Sequence, residues 1–573
     1  MTTTITSNIQ SSTGGEAPGD QTAETDQPVP KPMALPLLEM ALGSGLELFH
    51  GPDASGDTYA TVPIGTSRET YRLDDARFSE WLTERYFTST KLCPSLPSIK
   101  DTIRTLRAKA RYEGTSQTVA VRVAEQNGRL YIDLGDASGQ AVEVVEGGWQ
   151  LVRSPVRFLR PSGQLPLPVP ERGGSLQEWR NLVNLKDDNA WLLLVTCILC
   201  MYRTGLPFVI LIVQGQQGSA KSTLCRQIRS LVDPNGTPLC AIPRGEQDLI
   251  ISANHSLLLA FDNLSHVAPW LSDALCRMAT GGGHTTRKLF SDTTEIRMNV
   301  MRPVLINGIT DLTTRSDFLD RTVTVALPTI SDSHRRCEAE INAEFMKCRP
   351  RIFGAMMDAL SAALRNLPAV KPTSLPRMAD FARFGMAAES ALGFPEGTFM
   401  AAYRQDRLAV HNIALESSPI VPPLWRLAQK GTWVGVSRDL LLALVACTRP
   451  EEQRQSCGWP GDPGKLTSQL KRLVPNLRAT GLEVQFGHHT NAGITITLRM
   501  ADWSSPASPA LQTPSDKQLN AVTDLVGKSP SVTETQTGLA SAVTPQQVQS
   551  DGDDDGDGVL SPVEKKSVGE DAA

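Results

Sequence analysis

Between residues 175 and 330, short apolar runs alternate with amphipathic stretches. "FVILIVQG", "PLCAIP", "SLLLAFDN", "RPVLING" and "RTVTVALP" are strand-length and nearly continuous in apolar character. Such runs predict strands buried on both faces. The stretches between them have helical spacing, as in "KSTLCRQIRSLV". Five strands with intervening helices predict an α/β core, a parallel sheet covered on both sides. "AWLLLVTCILCMY" is a run of 13 residues, apolar but for Thr196, bounded by Asp187-Asp188 and Arg203. It is too short for a bilayer and reads as a buried helix.

The pattern differs on either side of this core. Over 35–174, "DDARFSEWLTERYF" and "SIKDTIRTLRAKARYEG" predict helices, and "QTVAVRVAE", "GRLYIDLG" and "QAVEVVEGG" predict short strands. The combination is an N-terminal α+β module, closed by the Pro/Gly-rich connector 160–174. Residues 331–415 read as helical. Over 420–500, "VSRDLLLALVAC" and "GKLTSQLKRLV" predict helices and "GLEVQFGHH" and "GITITLRM" a strand pair, which fits a winged-helix-like module. Residues 1–32 and 503–573 are polar, rich in Ser, Thr, Gln and Pro, and are expected to be disordered.

Charge adds one point. The overall charge is −5, but 551–573 carries −6 and 1–32 carries −3, which leaves about +4 on the body. Acidic ends around a mildly basic body permit nucleic-acid binding without demanding it. The 10 cysteines are scattered. Cys197 and Cys200 form a lone C-x-x-C inside an apolar run, with no second pair for zinc, so buried thiols and a cytoplasmic setting are expected. The N-terminal stretch has neither a basic start nor an apolar run, so no secretion signal is expected.

The candidate chemistry begins at "VQGQQGSAKSTL", residues 213–224. A buried strand and an amphipathic helix are joined by a Gly-rich turn, which aims backbone N–H groups and a helix N-terminus at phosphate. Gly215, Gly218, Ser219, Ala220, Lys221, Ser222 and Thr223 form the candidate nucleotide-binding set. Lys221 would reach the β- and γ-phosphates and Ser222 would hold Mg²⁺. Ala220 replaces the last glycine of the pattern. Negative φ is expected there, at the helix entrance, with Gly215 and Gly218 taking the positions that need glycine.

Asp262 ends the strand "SLLLAFDN", where a carboxylate can complete the Mg²⁺ shell. Asn307 ends "RPVLING", where an amide can orient an attacking water. Arg315 and Arg321 stand just before the last strand, where an arginine can reach a neighbouring subunit's γ-phosphate. The alternative for each arginine is an ion pair with Asp317 or Asp320.

This order of motifs resembles an AAA+ ATPase. More narrowly, residues 175–400 resemble the superfamily 3 helicase-like ATPases of phages, plasmids and integrated elements, often linked to primases. The resemblance implies a P-loop NTPase core, a helical lid, ATP and Mg²⁺ bound between subunits, and a homo-oligomeric, hexameric ring acting on DNA in replication of a mobile element. It also implies a basic hairpin facing DNA, matched by Arg287 and Lys288, and a lid arginine, Arg377 or Arg383. No primase-type carboxylate cluster is present, so any primase would be a separate chain. Asn263 departs from the family, since many members carry a catalytic Glu there. An amide can orient water but cannot take its proton, so binding is better supported than fast hydrolysis. A regulator or loader without unwinding activity is the alternative.

Two surfaces are candidate DNA contacts outside the core. One is Lys471 and Arg472, with Lys465 and Arg478, on the second helix of the winged-helix-like module. The other is Arg104, Arg107 and Arg111 on one helical face. A solvated basic face is the alternative for both. Lastly, "DDDGDGVLSPVE" (553–564) fits an EF-hand loop, with Asp553, Asp555, Asp557 and Glu564 as possible Ca²⁺ ligands. Its flanks are polar rather than helical. A Ca²⁺-binding interaction protein is therefore a further alternative.

Overall fold

Alternate residues of the central strands enter two different cores. Leu211, Val213, Leu305, Val323 and Val325 belong to one buried cluster. Ile210, Ile212, Val304, Ile306, Leu259 and Phe261 belong to another. A strand whose successive side chains point to opposite faces must be apolar throughout to do this, which is why these runs do not alternate with polar residues. The structure is a computed structural model. It describes residues 34–52, 56–282, 284–287, 295–298, 300–309, 315–416, 418–448, 458–490 and 493–501. Lys288, both polar ends and the 553–564 loop lie outside the described residues.

The central sheet has four strands, in the order Leu259–Leu264, Val304–Gly308, Ile210–Gly215, Thr322–Leu327. All of its pairings are parallel. The fifth expected strand, "PLCAIP", contributes only an isolated bridge from Cys240 to Phe261. Pro238 and Pro243 flank it and lack the N–H groups that a longer ladder needs. The helix Asp188–Cys200 is capped by Asp187, whose side chain accepts from the Ala190 N–H, and is buried continuously from Trp191 to Cys200. Burial pushes the Cys200 thiol up to about 12. These are core thiols.

The N-terminal region forms two sheets. Helices Ala76–Thr90 and Leu96–Tyr112 accompany a six-stranded sheet with its own core of Leu37, Val62, Phe78, Leu82 and Leu106. The second is an antiparallel meander of Val123–Gln126, Arg129–Asp133, Gln140–Val145 and Gly148–Arg153. The expected boundary at residue 174 divides a shared core here. Val142, Val144 and Trp149 are buried in the same cluster as Ile198, Phe353 and Met357. A four-stranded meander buries little by itself, and its apolar face is completed by the long helix Glu338–Asn366. Ser361 donates to the Val145 carbonyl at 2.6 Å, and Trp149 Nε1 donates to Asp358 at 2.8 Å.

The region after the sheet is helical, with Glu338–Asn366, Ala379–Ala388 and Thr398–Glu416. Residues 421–500 build a separate core from Leu424, Leu440, Leu466, Leu470, Ile496 and Leu498. The two expected helices and two strands are present as Ser437–Cys447, Pro463–Ala479, Leu482–Thr490 and Gly493–Met500. A further helix, Val421–Gln429, and a third strand, Trp433–Val436, were not expected. The strand is short and half-exposed, so no apolar run marks it.

Candidate functional site

The loop between Gly215 and Lys221 is shaped by three residues. A Cβ at Gly215 would lie 2.7 Å from both the Leu327 carbonyl and Ser219 Oγ, so only glycine fits. Gly218 has φ +80°. Ala220 has φ 67° and ψ 28°, the left-handed region, which corrects the expectation of negative φ. The helix begins at Lys221, so Ala220 is its N-cap rather than its first helical residue. The chain must reverse there, and Ala does so at a cost of about 1–2 kcal/mol that glycine would avoid.

Lys221 folds back over the loop, and its Nζ donates to the Gly215 and Gln216 carbonyls at 2.8 Å each. Burial lowers its pKa below the ordinary value for lysine. Ser219 is fully buried, and its hydroxyl donates to the Gln216 carbonyl at 2.8 Å, so its side chain is committed to the loop itself. Thr223 faces a different hollow, lined by Arg226, Gln227, Glu338 and Phe345.

Below the loop, three side chains from three elements meet. Ser222 Oγ donates to Asp262 Oδ1 at 3.2 Å. Asn307 Nδ2 donates to Ser222 Oγ at 3.2 Å and to Asp262 Oδ1. Asn307 Oδ1 accepts the Asn263 N–H at 2.7 Å. Asn307 is 1 % exposed. Parallel register sets this up, because Asn307 pairs with Val213 two residues before the loop. The register of the Asp262 strand shifts between Phe261 and Leu264, where Asn263 adopts φ 55°. Asn tolerates that conformation better than most residues. On the next helical turn, burial pushes the Cys225 thiol well up.

A hydroxyl and a carboxylate oxygen 3.2 Å apart, beside backbone N–H groups and a lysine, are hard donors suited to a cation that keeps waters and phosphate oxygens as its other ligands. Among the described residues no group of three or more His, Cys, Asp or Glu could hold a metal by itself. The residues therefore fit Mg²⁺ delivered with a phosphate chain.

The remaining candidates are not drawn into this cluster. Arg315 donates to Asp273 at 2.5 Å and to the Pro269 carbonyl at 3.2 Å. Arg321 pairs with Asp317 at 2.6 Å, and Arg377 bridges Asp317 at 2.6 Å and Asp320 at 3.3 Å. The Arg321–Asp317 pair is the alternative anticipated for that arginine, whereas Arg315 pairs with Asp273 rather than with Asp317 or Asp320. A cavity of about 500 Å³ adjoins this network and is lined by Arg377, Tyr403, Arg407 and His411. It holds none of the loop residues. Arg287 ends a strand, His284–Arg287, paired antiparallel with Glu295–Met298. Lys471 and Arg472 are exposed on Pro463–Ala479, and Lys471 lies 5.6 Å over the Phe486 ring.

Three contacts to the loop come from residues that no motif marked. Asn184 Nδ2 donates to the Ser219 carbonyl at 3.2 Å and the Pro328 carbonyl at 2.6 Å. Thr329 Oγ1 donates to Gln216 Oε1 at 3.3 Å. The Arg335 guanidinium lies against Gly218. Their partners are distant in sequence, so only the fold brings them to the loop.

Residues 177–409 match a family described as the actinomycete integrative conjugative element replication protein. Residues 421–513 match that family's C-terminal domain. No curated protein matches the chain. Among solved structures, an active helicase, Cch of SCCmec type IV, aligns at 12 % identity over 79 % of this chain and 92 % of its own, with a TM-score of 0.41. The apo A form of the NrS-1 C-terminal region aligns at 11 % identity over 81 % and 98 %, with a TM-score of 0.37.

Proposed function

We propose, from the match to replication proteins of integrative conjugative elements, that this chain is an ATP-driven motor acting on DNA in the replication of such an element. The observation that carries the reading is the Ser222–Asp262–Asn307 cluster at the foot of the Gly215–Lys221 loop. It supplies a Mg²⁺-binding pair and a buried amide beside a P-loop. Mg²⁺ bound there would neutralise the phosphate chain and polarise the bond to be broken. Ser222 and Asp262 would hold the cation, Lys221 would leave its two carbonyls for phosphate oxygens, and Asn307 would orient water.

Arg315 and Arg321 are the candidates to act on a neighbouring subunit's nucleotide in a homo-oligomeric ring, which requires each to leave its present aspartate. Arg287, at the end of its strand, and Lys288 after it would contact DNA in the ring. Lys471 and Arg472 on the winged-helix-like module would add phosphate contacts. No helix among the described residues is long and apolar enough to cross a membrane. A separate primase remains part of the proposal as a partner.

One observation favours a second reading, a nucleotide-dependent loader with slow turnover. Asn263 is exposed, carries no carboxylate, and has its N–H committed to Asn307. DNA-stimulated ATPase and strand-displacement assays separate the two readings. Displacement that requires Lys221 supports the motor. MgATP binding without displacement supports the loader.

A further inference from the structure

We propose that Arg335 is a phosphate ligand supplied in cis, carried on a strap that crosses the loop. This rests on the nucleotide reading and adds a residue to it. The last strand of the central sheet ends at Leu327, and the long helix begins at Glu338. The residues between them are fastened to the loop at one end and to its helix at the other. Thr329 bonds Gln216 at 3.3 Å, and Asn184 ties the Pro328 and Ser219 carbonyls together. At the far end, Glu338 pairs with Arg226 on the loop helix. A short 3-10 turn, Asp332–His334, sits between and presents Arg335.

Arg335 is placed against the loop itself. A Cβ at Gly218 would lie 2.9 Å from its Nη2. The guanidinium therefore occupies the space left by the missing side chain, beside the backbone that would wrap the phosphates. Its ion-pair partner holds it weakly. Asp332 is 3.2 Å away and its side chain is 93 % exposed, while that of Arg335 is 55 % exposed. Such a pair contributes little and yields readily to a better anion. A guanidinium matches phosphate with two parallel hydrogen bonds, which a single lysine cannot do. Lys221 and Arg335 would then bring positive charge to the phosphate chain from the same subunit, one from the helix and one from the strap.

The test is MgATP titration by calorimetry on the full chain, comparing wild type, Arg335→Ala, Arg335→Lys and Lys221→Ala, with the nucleotide-free melting temperature of each. Loss of a charged hydrogen-bonding partner is expected to weaken MgATP by about tenfold or more in Arg335→Ala. Arg335→Lys should recover part of the loss, and the nucleotide-free melting temperature should stay at the wild-type value. A purely structural role would lower the melting temperature and overturn the proposal. So would wild-type affinity in Arg335→Ala while Lys221→Ala abolishes binding, and in that case the nucleotide reading stands. If wild type itself does not bind MgATP, both fail together.

Discussion

The side-chain amide of Asn307 holds the backbone of Asn263, with Oδ1 accepting that N–H at 2.7 Å, while its other end reaches Ser222 at 3.2 Å. One buried residue thus fixes the strand tip that carries Asp262 and the helix start that carries the loop. Asn307→Ala would leave the Asn263 N–H and the Asp262 carboxylate without this partner. Leaving such groups unsatisfied costs about 1–3 kcal/mol. Urea unfolding should show that loss, and ATP turnover should fall more than MgATP affinity. A variant with wild-type turnover would remove Asn307 from the proposed role.

Ala220 carries backbone strain. Its φ of 67° is costly for alanine and free for glycine. Ala220→Gly should stabilise the chain by about 1 kcal/mol, read as a rise in the urea midpoint, with MgATP affinity retained. An unchanged or lower midpoint would place the cost elsewhere.

Arg122 couples the meander to the loop helix. It is fully buried, and its Nε donates to Asp233, the C-cap of Lys221–Val232, at 3.2 Å. Its Nη1 donates to the Asp133 carbonyl at 3.1 Å and its Nη2 to the Leu165 carbonyl at 2.6 Å. Removing one member of a buried pair costs about 3–5 kcal/mol. Arg122→Ala should lose that much in chemical denaturation. A loss below about 1 kcal/mol, the range of exposed pairs, would contradict the coupling.

Asp406 gives the chain a pH dependence. Its Oδ1 accepts the Thr324 N–H at 3.1 Å, and its Oδ2 is buried with no hydrogen-bond partner. Burial pushes its pKa from 3.8 up to about 7. Between those values the folded chain holds a proton that the unfolded chain has released, so Asp406 makes stability fall as pH rises from about 4 to about 7. Asp406→Asn should flatten that segment of the stability profile and raise stability at pH 8. A wild-type slope in the variant would show that the acid titrates normally.

The sequence made the local features legible. Strand ends marked Asp262 and Asn307, apolar runs marked the two-sided sheet, and the Gly-rich turn marked the loop. The backbone conformation of Ala220 was misjudged, because motif spacing does not say on which residue the helix begins. Asn184, Thr329 and Arg335 were invisible, because each meets the loop from far along the chain. The shared core of the meander and the long helix was missed for the same reason. An alternating strand shows that one face is buried, but not against what.

The central claim is that nucleotide bound at this loop drives work on DNA. The most direct test is a MgATP-dependent strand-displacement assay on the full chain, with ATPase activity measured with and without DNA and Lys221→Ala as the control. The account predicts DNA-stimulated turnover and displacement in wild type, both abolished in Lys221→Ala. Displacement that survives in Lys221→Ala, or no turnover by wild type with DNA present, would contradict it.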